Sequence, residues 1–159
     1  MGSLPKHLRP RWRYLGLEIE THPQHTLDRQ AFQATLWERA RSLRGDVGSA
    51  RIGLDVVSFE HDDGFGTAIV RVHRDSVSDA RGVIATIDSV DDVPVRATIR
   101  GVSGTIRACE ENYLRIAREA PSHEVIALDT VEGPAIVRSP AVDVSTDSTI
   151  LGATTLDTR

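Results

Sequence analysis

Cysteine and long apolar runs are scarce in this 159-residue sequence, and each shortage excludes a class of protein. Its one cysteine, Cys109, excludes an internal disulfide framework and a zinc site built from cysteines. No apolar run reaches about 18 residues, so a membrane-spanning helix is not expected. The first ten residues are polar and basic, unlike a secretory signal. We therefore expect a cytoplasmic protein in a reducing compartment.

Lysine is also scarce, since Lys6 stands against 18 arginines, and 14 aspartates exceed nine glutamates. A GC-rich genome explains this bias, and so does adaptation to high salt, where weakly acidic surfaces poor in lysine stay soluble. The net charge of −4 hides a segregation. Residues 1–51 and 96–118 carry +4 and +3, whereas residues 52–95 and 119–159 carry −6 and −5. The acidic total therefore does not exclude a polyanionic partner.

Patterns typical of catalysis or metal binding are missing from the sequence. The pair His22 and His25 is better explained as part of a loop, and His61-Asp62-Asp63 as a hairpin turn. No phosphate-binding loop, dinucleotide motif or nucleophile motif occurs. We expect no catalytic residue, no metal ligand and no cofactor bound by the protein.

The spacing of apolar residues predicts an α+β domain. Alternation predicts strands that begin near residues 15, 52, 68 and 95, and helical spacing predicts helices over about residues 28–44, 76–87 and 106–120. Gly45 is expected to end the first helix, and Ser76 heads a weak variant of the capping box. The order βαββαβ is that of the ferredoxin-like fold, also called RRM-like, with a four-stranded antiparallel sheet and two helices on one face.

Three regions follow from this pattern. Residues 1–13 form a basic N-terminal arm, and residues 14–120 form the βαββαβ domain with an additional C-terminal helix. Residues 121–159 form an acidic tail rich in serine and threonine. Because the tail shows no apolar period, we expect it to be flexible or to dock only locally.

The arm carries the first functional signal. Its basic residues alternate with aromatic ones, and arginine can bind phosphate in a bidentate way while tryptophan can stack on a base. The alternative is a basic start that aids solubility, with Trp12 covering the edge of the core. The predicted RNA contacts in the arm are Lys6, Arg9, Arg11, Trp12 and Arg13.

The segment Gly101-Val102-Ser103-Gly104-Thr105, between the last strand and the third helix, carries the second signal. Ser103 is expected to cap the helix, and the glycines let the backbone approach a partner closely. A helix N-terminus also offers free N–H groups to an anion. A plain capped turn is the competing interpretation. The predicted RNA contacts here are Arg100, Gly101, Ser103, Gly104, Thr105 and Arg107.

The first helix carries a third signal, a stripe in which arginines surround a tryptophan. Such a stripe indicates a protein or RNA contact, unless the tryptophan folds onto the edge of the core. The candidates for a partner interface are Arg29, Trp37, Arg41 and Arg44. The third strand, residues 67–73, lacks the aromatic residues on which an RNA-recognition motif stacks bases, so base stacking on the sheet is not expected.

The arm from Leu4 to Leu15 and the stretch from Ile99 to Arg107 resemble archaeal ribonuclease P protein component 2, and the likeness covers about residues 4–118. The resemblance implies an accessory subunit of the endonuclease that removes the 5′ leader from precursor tRNA, with catalytic Mg²⁺ held by the RNA subunit. It also implies contact with the catalytic domain of that RNA and pairing with protein component 3. Two such pairs would assemble into a heterotetramer. This subunit would interact with precursor tRNA only indirectly.

Two other functions are compatible with the fold. One is a ferredoxin-like sensor or regulatory domain, which would bind a small molecule on its open sheet face or at a dimer interface. A sensor has no use for four basic and two aromatic residues before its first strand. The other is a protein-assembly module that makes no RNA contact.

Overall fold

The computed structural model describes residues 4–115, 122–128, 131–138, 141–146 and 150–154. A short 3-10 turn, Lys6–Leu8, comes first. The strands are β1 (Trp12–Glu20), β2 (Asp55–Asp62), β3 (Phe65–His73), β4 (Ser89–Val90), β5 (Val93–Pro94), β6 (Arg96–Ser103), β7 (Ser122–Leu128), β8 (Val131–Arg138), β9 (Ala141–Ser145) and β10 (Ile150–Thr154). The helices are α1 (Arg29–Ile52), α2 (Val77–Ala85) and α3 (Ile106–Cys109), which a π-helical turn, Glu110–Leu114, continues.

The first sheet confirms the predicted ferredoxin-like fold. Its strand order is β2-β3-β1-β6, and all neighbouring strands are antiparallel. This is the order that a βαββαβ chain forms when both helices lie on one face. Leu15, Leu17 and Ile19 alternate along β1 and are fully buried in the core shared with α1 and α2. Among the described residues, no helix is long and apolar enough to cross a bilayer.

The two ends of this sheet differ in what surrounds them. At one end, which we call the arm end, β1 begins and Trp12 pairs with His73 at the end of β3. At the opposite end, which we call the hairpin end because β2 and β3 are joined there, β1 finishes and Glu20 pairs with both Phe65 and Arg96. Helix α1 starts near the hairpin end and returns to the arm end, so both ends are built from segments distant in sequence.

The helical segment Ile106–Leu114 packs on the sheet face opposite to α1 and α2. Gly16 and Gly101 pair across β1 and β6 beneath this segment. A methyl group on Gly101 would lie 2.2 Å from the ring of Tyr113, and one on Gly16 would lie 3.1 Å from the Cys109 sulfur. The two glycines therefore form the slot that lets the segment approach the sheet closely.

Gly45 and Ser76 have structural roles that differ from those the sequence predicts. Gly45 does interrupt the first helix, with φ 69° and ψ 178°, but α1 resumes after this kink and ends at Ile52, before the left-handed Gly53. Ser76 lies at the N-cap position of α2 without capping it. Its hydroxyl instead donates to the carbonyl oxygen of Arg51, 3.4 Å away, and so ties α2 to the end of α1.

The tail, expected to be flexible or to dock only locally, forms strands over residues 122–128, 131–138, 141–145 and 150–154. These residues form a second antiparallel sheet of order β10-β9-β8-β7, with Ala135, Val142 and Val144 in its core. Valine and isoleucine are frequent there and favour strands, although each strand is too short to show a clear period. Arg96 on β6 forms an ion pair with Asp143 on β9, which connects the two sheets.

Candidate nucleic-acid interface

The basic arm is attached to the arm end of the first sheet. The backbone N–H of Arg74, just after β3, donates to the carbonyl oxygen of Arg11 at 2.9 Å. The arm is also ordered internally, since the Arg9 guanidinium donates to the carbonyl oxygen of Leu4 at 2.9 Å. Lys6, Arg9 and Arg11 are exposed. The arm therefore presents its basic side chains beside the last residue of β3.

Trp12 packs within the protein at this end of the sheet. Its ring stacks on His73, with 4.1 Å between the ring centroids, and the Arg71 guanidinium lies 4.4 Å from the ring centre. Arg71 also forms an ion pair with Asp55 at 2.8 Å. These contacts support the alternative in which Trp12 covers the edge of the core. Stacking of an RNA base on Trp12 stays a prediction.

The glycine-rich segment comes to the same end of the sheet as the arm. Because β6 lies beside β1, Gly104 is close to Arg13, and a methyl group on Gly104 would lie 4.0 Å from Nη1 of Arg13. The same nitrogen donates to the carbonyl oxygen of Trp12 at 3.0 Å, which holds the Arg13 guanidinium against the chain. The fold thus joins two signals that lie about 90 residues apart in sequence.

One expectation about this segment is wrong, and Gly101 has a structural role besides the predicted approach of a partner. Thr105, not Ser103, caps α3, since its hydroxyl oxygen accepts from the N–H of Ala108 at 3.1 Å. Ser103 is instead the buried last residue of β6. The side chain that makes glycine necessary at position 101 is the ring of Tyr113, which lies within the same chain.

The remaining predicted arginines of this region have partners. Arg100 lies on the sheet face rather than at the arm end, where it forms an ion pair with the buried Glu18. Arg107 is exposed and pairs with Glu111 one helical turn later, at 2.8 Å. An exposed pair of this kind exchanges readily with a phosphate, whereas breaking the pair of Arg100 would leave a buried carboxylate uncompensated. RNA contact stays a prediction for both.

The stripe on α1 contacts the edge strand β2. The Trp37 indole N–H donates to the carbonyl oxygen of Leu54 at 2.9 Å, and the Gln33 amide oxygen accepts from the N–H of Val56 at 2.7 Å. Arg29 donates to the carbonyl oxygen of Val56. These bonds satisfy backbone groups of an edge strand and so protect it from pairing with another chain.

The outer part of the stripe differs in its contacts. Trp37 remains 50% exposed, and Arg41 is exposed as well. Arg44 forms an ion pair with Asp79 of α2 at 2.6 Å. The structure thus gives Arg29, Trp37 and Arg44 roles within the chain, and their part in a partner interface stays a prediction.

Three arginines near the arm end were not among the predicted contacts, namely Arg51, Arg71 and Arg74. Arg71 and Arg74 lie at the end of β3, and the return of α1 brings Arg51 to the same place. One signal was available, because β3 ends in the basic run from Arg71 to Arg74 immediately before a helix.

His61 ties the loop after β1 to the β2–β3 hairpin at the other end of the sheet. Its Nδ1 accepts from the N–H of Leu27 at 3.1 Å, so the imidazole must be neutral at that atom. Burial lowers the pKa of His61, an effect only partly offset by Asp62. Nearby, Nδ1 of His22 lies 3.0 Å from the carbonyl oxygen of Pro23. In the described part of the chain, no group of three or more His, Cys, Asp and Glu side chains is placed to hold a metal.

The chain should lose stability in mild acid because of His61. Since the pKa of His61 is lower in the folded state, the unfolded chain binds the additional proton first. The free energy of unfolding should fall as the pH drops below about 6.5, by about 1–3 kcal/mol for the broken buried hydrogen bond. Urea unfolding between pH 7 and pH 5 measures this.

Asparagine at position 61 is the matched variant for this measurement. Its amide oxygen can accept from Leu27 without titrating, so His61→Asn should flatten the pH dependence. His25→Asn, at an exposed position of the loop, should leave the dependence as it is in the parent. If His61→Asn and the parent lose the same stability on acidification, His61 is not the cause.

A family model described as Rpp14/Pop5 matches residues 13–114, which is more than half of the chain. The chain belongs to the Rpp14/Pop5 family. The match runs from the second residue of β1 to the end of the helical segment at Leu114, and so covers the first sheet and its three helices. The second sheet lies outside the matched residues.

Individual relatives extend the comparison beyond the family model. Ribonuclease P protein component 2 of Halorubrum lacusprofundi is 49% identical over 159 residues, which cover 100% of both chains. The protein of the same name from Natronomonas pharaonis is 45% identical over 100% of this chain and 99% of that one. The one from Archaeoglobus fulgidus is 31% identical over 116 residues, 73% of this chain and 100% of that one. A chain in a cryo-EM structure of yeast ribonuclease MRP aligns with a TM-score of 0.46 at 25% identity, over 63% of this chain and 79% of that one.

Proposed function

We propose that this chain is an accessory protein subunit of ribonuclease P, which supports the catalytic RNA as it removes the 5′ leader from precursor tRNA. The observation that carries the proposal is the 49% identity, over the full length of both chains, to a ribonuclease P protein component 2. The chain therefore acts within a ribonucleoprotein, together with RNA and further protein subunits, in the cytoplasm where tRNA matures.

The contribution of the protein is to fold and hold RNA, not to cut it. Cleavage of a phosphodiester bond by a metal-activated water needs Mg²⁺, which the RNA subunit would bind. RNA strands that pack around such a site repel each other through their phosphates, and guanidinium groups relieve this repulsion by binding them. The arm end offers such groups on Arg11, Arg13 and Arg74.

The finer assignments belong to the same proposal. The chain would act on the catalytic domain of the RNA and pair with protein component 3, and two such pairs would join through this subunit. The exposed residues Trp37 and Arg41 on α1 are the candidates for the protein contact. The alternative of a small-molecule sensor loses support, because the segment Ile106–Leu114 occupies much of the sheet face that a sensor would use.

The isolated chain should be inactive, and its absence should impair the complex. Purified protein with Mg²⁺ and precursor tRNA should leave the 5′ leader intact. Reconstitution with the RNA subunit and the other protein subunits should give cleavage at the mature 5′ end, and omission of this chain should lower the rate at least tenfold. Site-specific cleavage by the protein alone, or an unchanged rate without it, would contradict the proposal.

A further inference from the structure

The fold converts the charge segregation of the sequence into two oppositely charged ends of the first sheet. The arm end gathers cations from three segments, the arm, the end of α1 and the end of β3, namely Lys6, Arg9, Arg11, Arg13, Arg51 and Arg74. The hairpin end gathers carboxylates from the α1 start and the two hairpin turns, namely Asp28, Glu60, Asp62, Asp63, Asp91 and Asp92. Strand β1, nine residues long, separates the two ends by about 27 Å.

Two acidic groups near the arm end are paired with arginines outside the arm. Asp55 pairs with Arg71 at 2.8 Å, and Asp79 pairs with Arg44 at 2.6 Å, so neither neutralises the arm. Asp75 is exposed beside Arg74. Such a dense patch of cations fits a polyanion.

The sheet faces offer no comparable surface. One face is covered by α1 and α2. On the other face Ile69 is fully buried and the Tyr113 ring lies over Gly101, so this face has no exposed flat surface on which bases could stack. Charged groups on that face form ion pairs within the chain, as Arg100 does with Glu18 and Arg71 with Asp55. RNA binding by bases laid across the strands is therefore blocked within the chain.

We propose that structured RNA docks end-on, with its phosphates against Arg11, Arg13 and Arg74 and with the hairpin end pointing away from the RNA. This inference rests on the proposed function and adds an orientation and one unpredicted contact residue, Arg74. The Arg74 N–H bond to the Arg11 carbonyl holds the two residues adjacent, so their side chains can bind neighbouring phosphates of one strand.

Arginine is suited to such a contact at high salt. At an ionic strength of 1 M the Debye length falls to about 3 Å, so long-range attraction is screened out. Bidentate hydrogen bonds between guanidinium and phosphate act at short range and survive, whereas a lysine supplies only a point charge. The backbone bonds that fix Arg13 and Arg11 also reduce the flexibility lost on binding.

Paired variants test the contact residues. Filter binding of ribonuclease P RNA at high salt should show affinity about fivefold weaker for each of Arg11→Lys, Arg13→Lys and Arg74→Lys, the effect of one hydrogen bond of ordinary net strength. The triple change of these arginines to alanine should abolish specific binding. Arg81→Ala, at an exposed position of α2, is the matched control and should bind like the parent. Circular dichroism and melting verify that every variant folds.

Tethered cleavage tests the orientation without removing any contact. Cys109 is fully buried, and burial together with Glu110 raises the pKa of its thiol to about 11, so it stays unlabelled at neutral pH. An iron chelate on Ser78→Cys, at the arm end, should cleave bound ribonuclease P RNA at defined positions. The same chelate on His25→Cys, at the hairpin end, should give only background cleavage.

The outcomes separate the two proposals. If the parent chain does not bind ribonuclease P RNA at all, the proposed function fails. If the parent binds and the arm-end variants bind equally well, or if the chelate at position 25 cleaves and the one at position 78 does not, end-on docking alone is wrong. If the triple variant still binds RNA but no longer retains a protein subunit, the arm end is a protein interface instead.

Discussion

Replacing Gly66 by alanine is expected to lower the free energy of unfolding by about 3 kcal/mol, the upper range for an overpacked site. Gly66 pairs with His61 between β3 and β2, and a methyl group there would lie 2.1 Å from the carbonyl oxygen of Glu60 and 2.5 Å from Cα of His61. Both atoms belong to the backbone of the neighbouring strand, so no side-chain rotation relieves the clash. The strands must separate at the hairpin end, which should lower the melting temperature by about 6–12 °C.

Gly82→Ala is the matched control, because it makes the same chemical change on an exposed helix surface. A methyl group on Gly82 meets no described atom within 4 Å, and alanine is the better helix former. This variant should gain about 0.8–1 kcal/mol. Urea unfolding of both variants with the parent decides the comparison, and a loss below about 1 kcal/mol for Gly66→Ala would show that β2 adapts without strain.

The first sheet was predictable because apolar core residues alternate with polar residues or glycine along its strands. Leu15, Leu17 and Ile19 alternate with non-core residues, and this period of two is visible in a single sequence. The helix boundaries were harder to predict, because Gly45 breaks the helical geometry without ending α1. Tertiary contacts after the kink, such as the buried Ile52, carry the helix further than its local signal indicates.

The second sheet was missed because its pairing is decided by contacts that no local pattern shows. Its strands have five to eight residues, and Pro134 and Gly133 lie within β8, where both usually indicate a loop. The buried residues Ala135 and Ile136 are neighbours in sequence, so the apolar pattern does not alternate. A short strand buried on both faces gives no period.

The candidate site was predicted in pieces, and the register of the sheet joined them. The arm and the glycine-rich segment each stood out by composition, but the pairing of β1 with β6 brings Arg13 beside Gly104. The roles inside the segment were harder to assign, because Ser103 and Thr105 are equally good capping residues by type. Because β6 extends through Ser103, Thr105 is the first residue beyond the strand with a side chain that can cap α3.

Replacing Gly101 by alanine should destabilise the chain by about 2 kcal/mol, because the new methyl group would lie 2.2 Å from the Tyr113 ring. The ring must then leave its slot, and the segment Ile106–Leu114 must move off the sheet. Gly104→Ala, whose nearest described atom would be Nη1 of Arg13 at 4.0 Å, should change stability by less than about 0.5 kcal/mol. Urea unfolding at fixed salt measures both.

A double variant distinguishes packing from RNA contact as the reason for glycine at position 101. With Tyr113→Ala the ring is gone, so adding Gly101→Ala should cost less than about 0.5 kcal/mol, and the coupling between the two sites should be about 1.5 kcal/mol. If the glycine only accommodates the ring, binding of ribonuclease P RNA should show the same dependence. Gly101→Ala should then weaken RNA binding when Tyr113 is present and leave it unchanged when Tyr113 is alanine. If instead the RNA backbone approaches Gly101, the methyl group will weaken RNA binding equally with and without Tyr113, while stability alone recovers. That result would return Gly101 to the RNA interface and place the phosphates nearer to the sheet face than end-on docking allows.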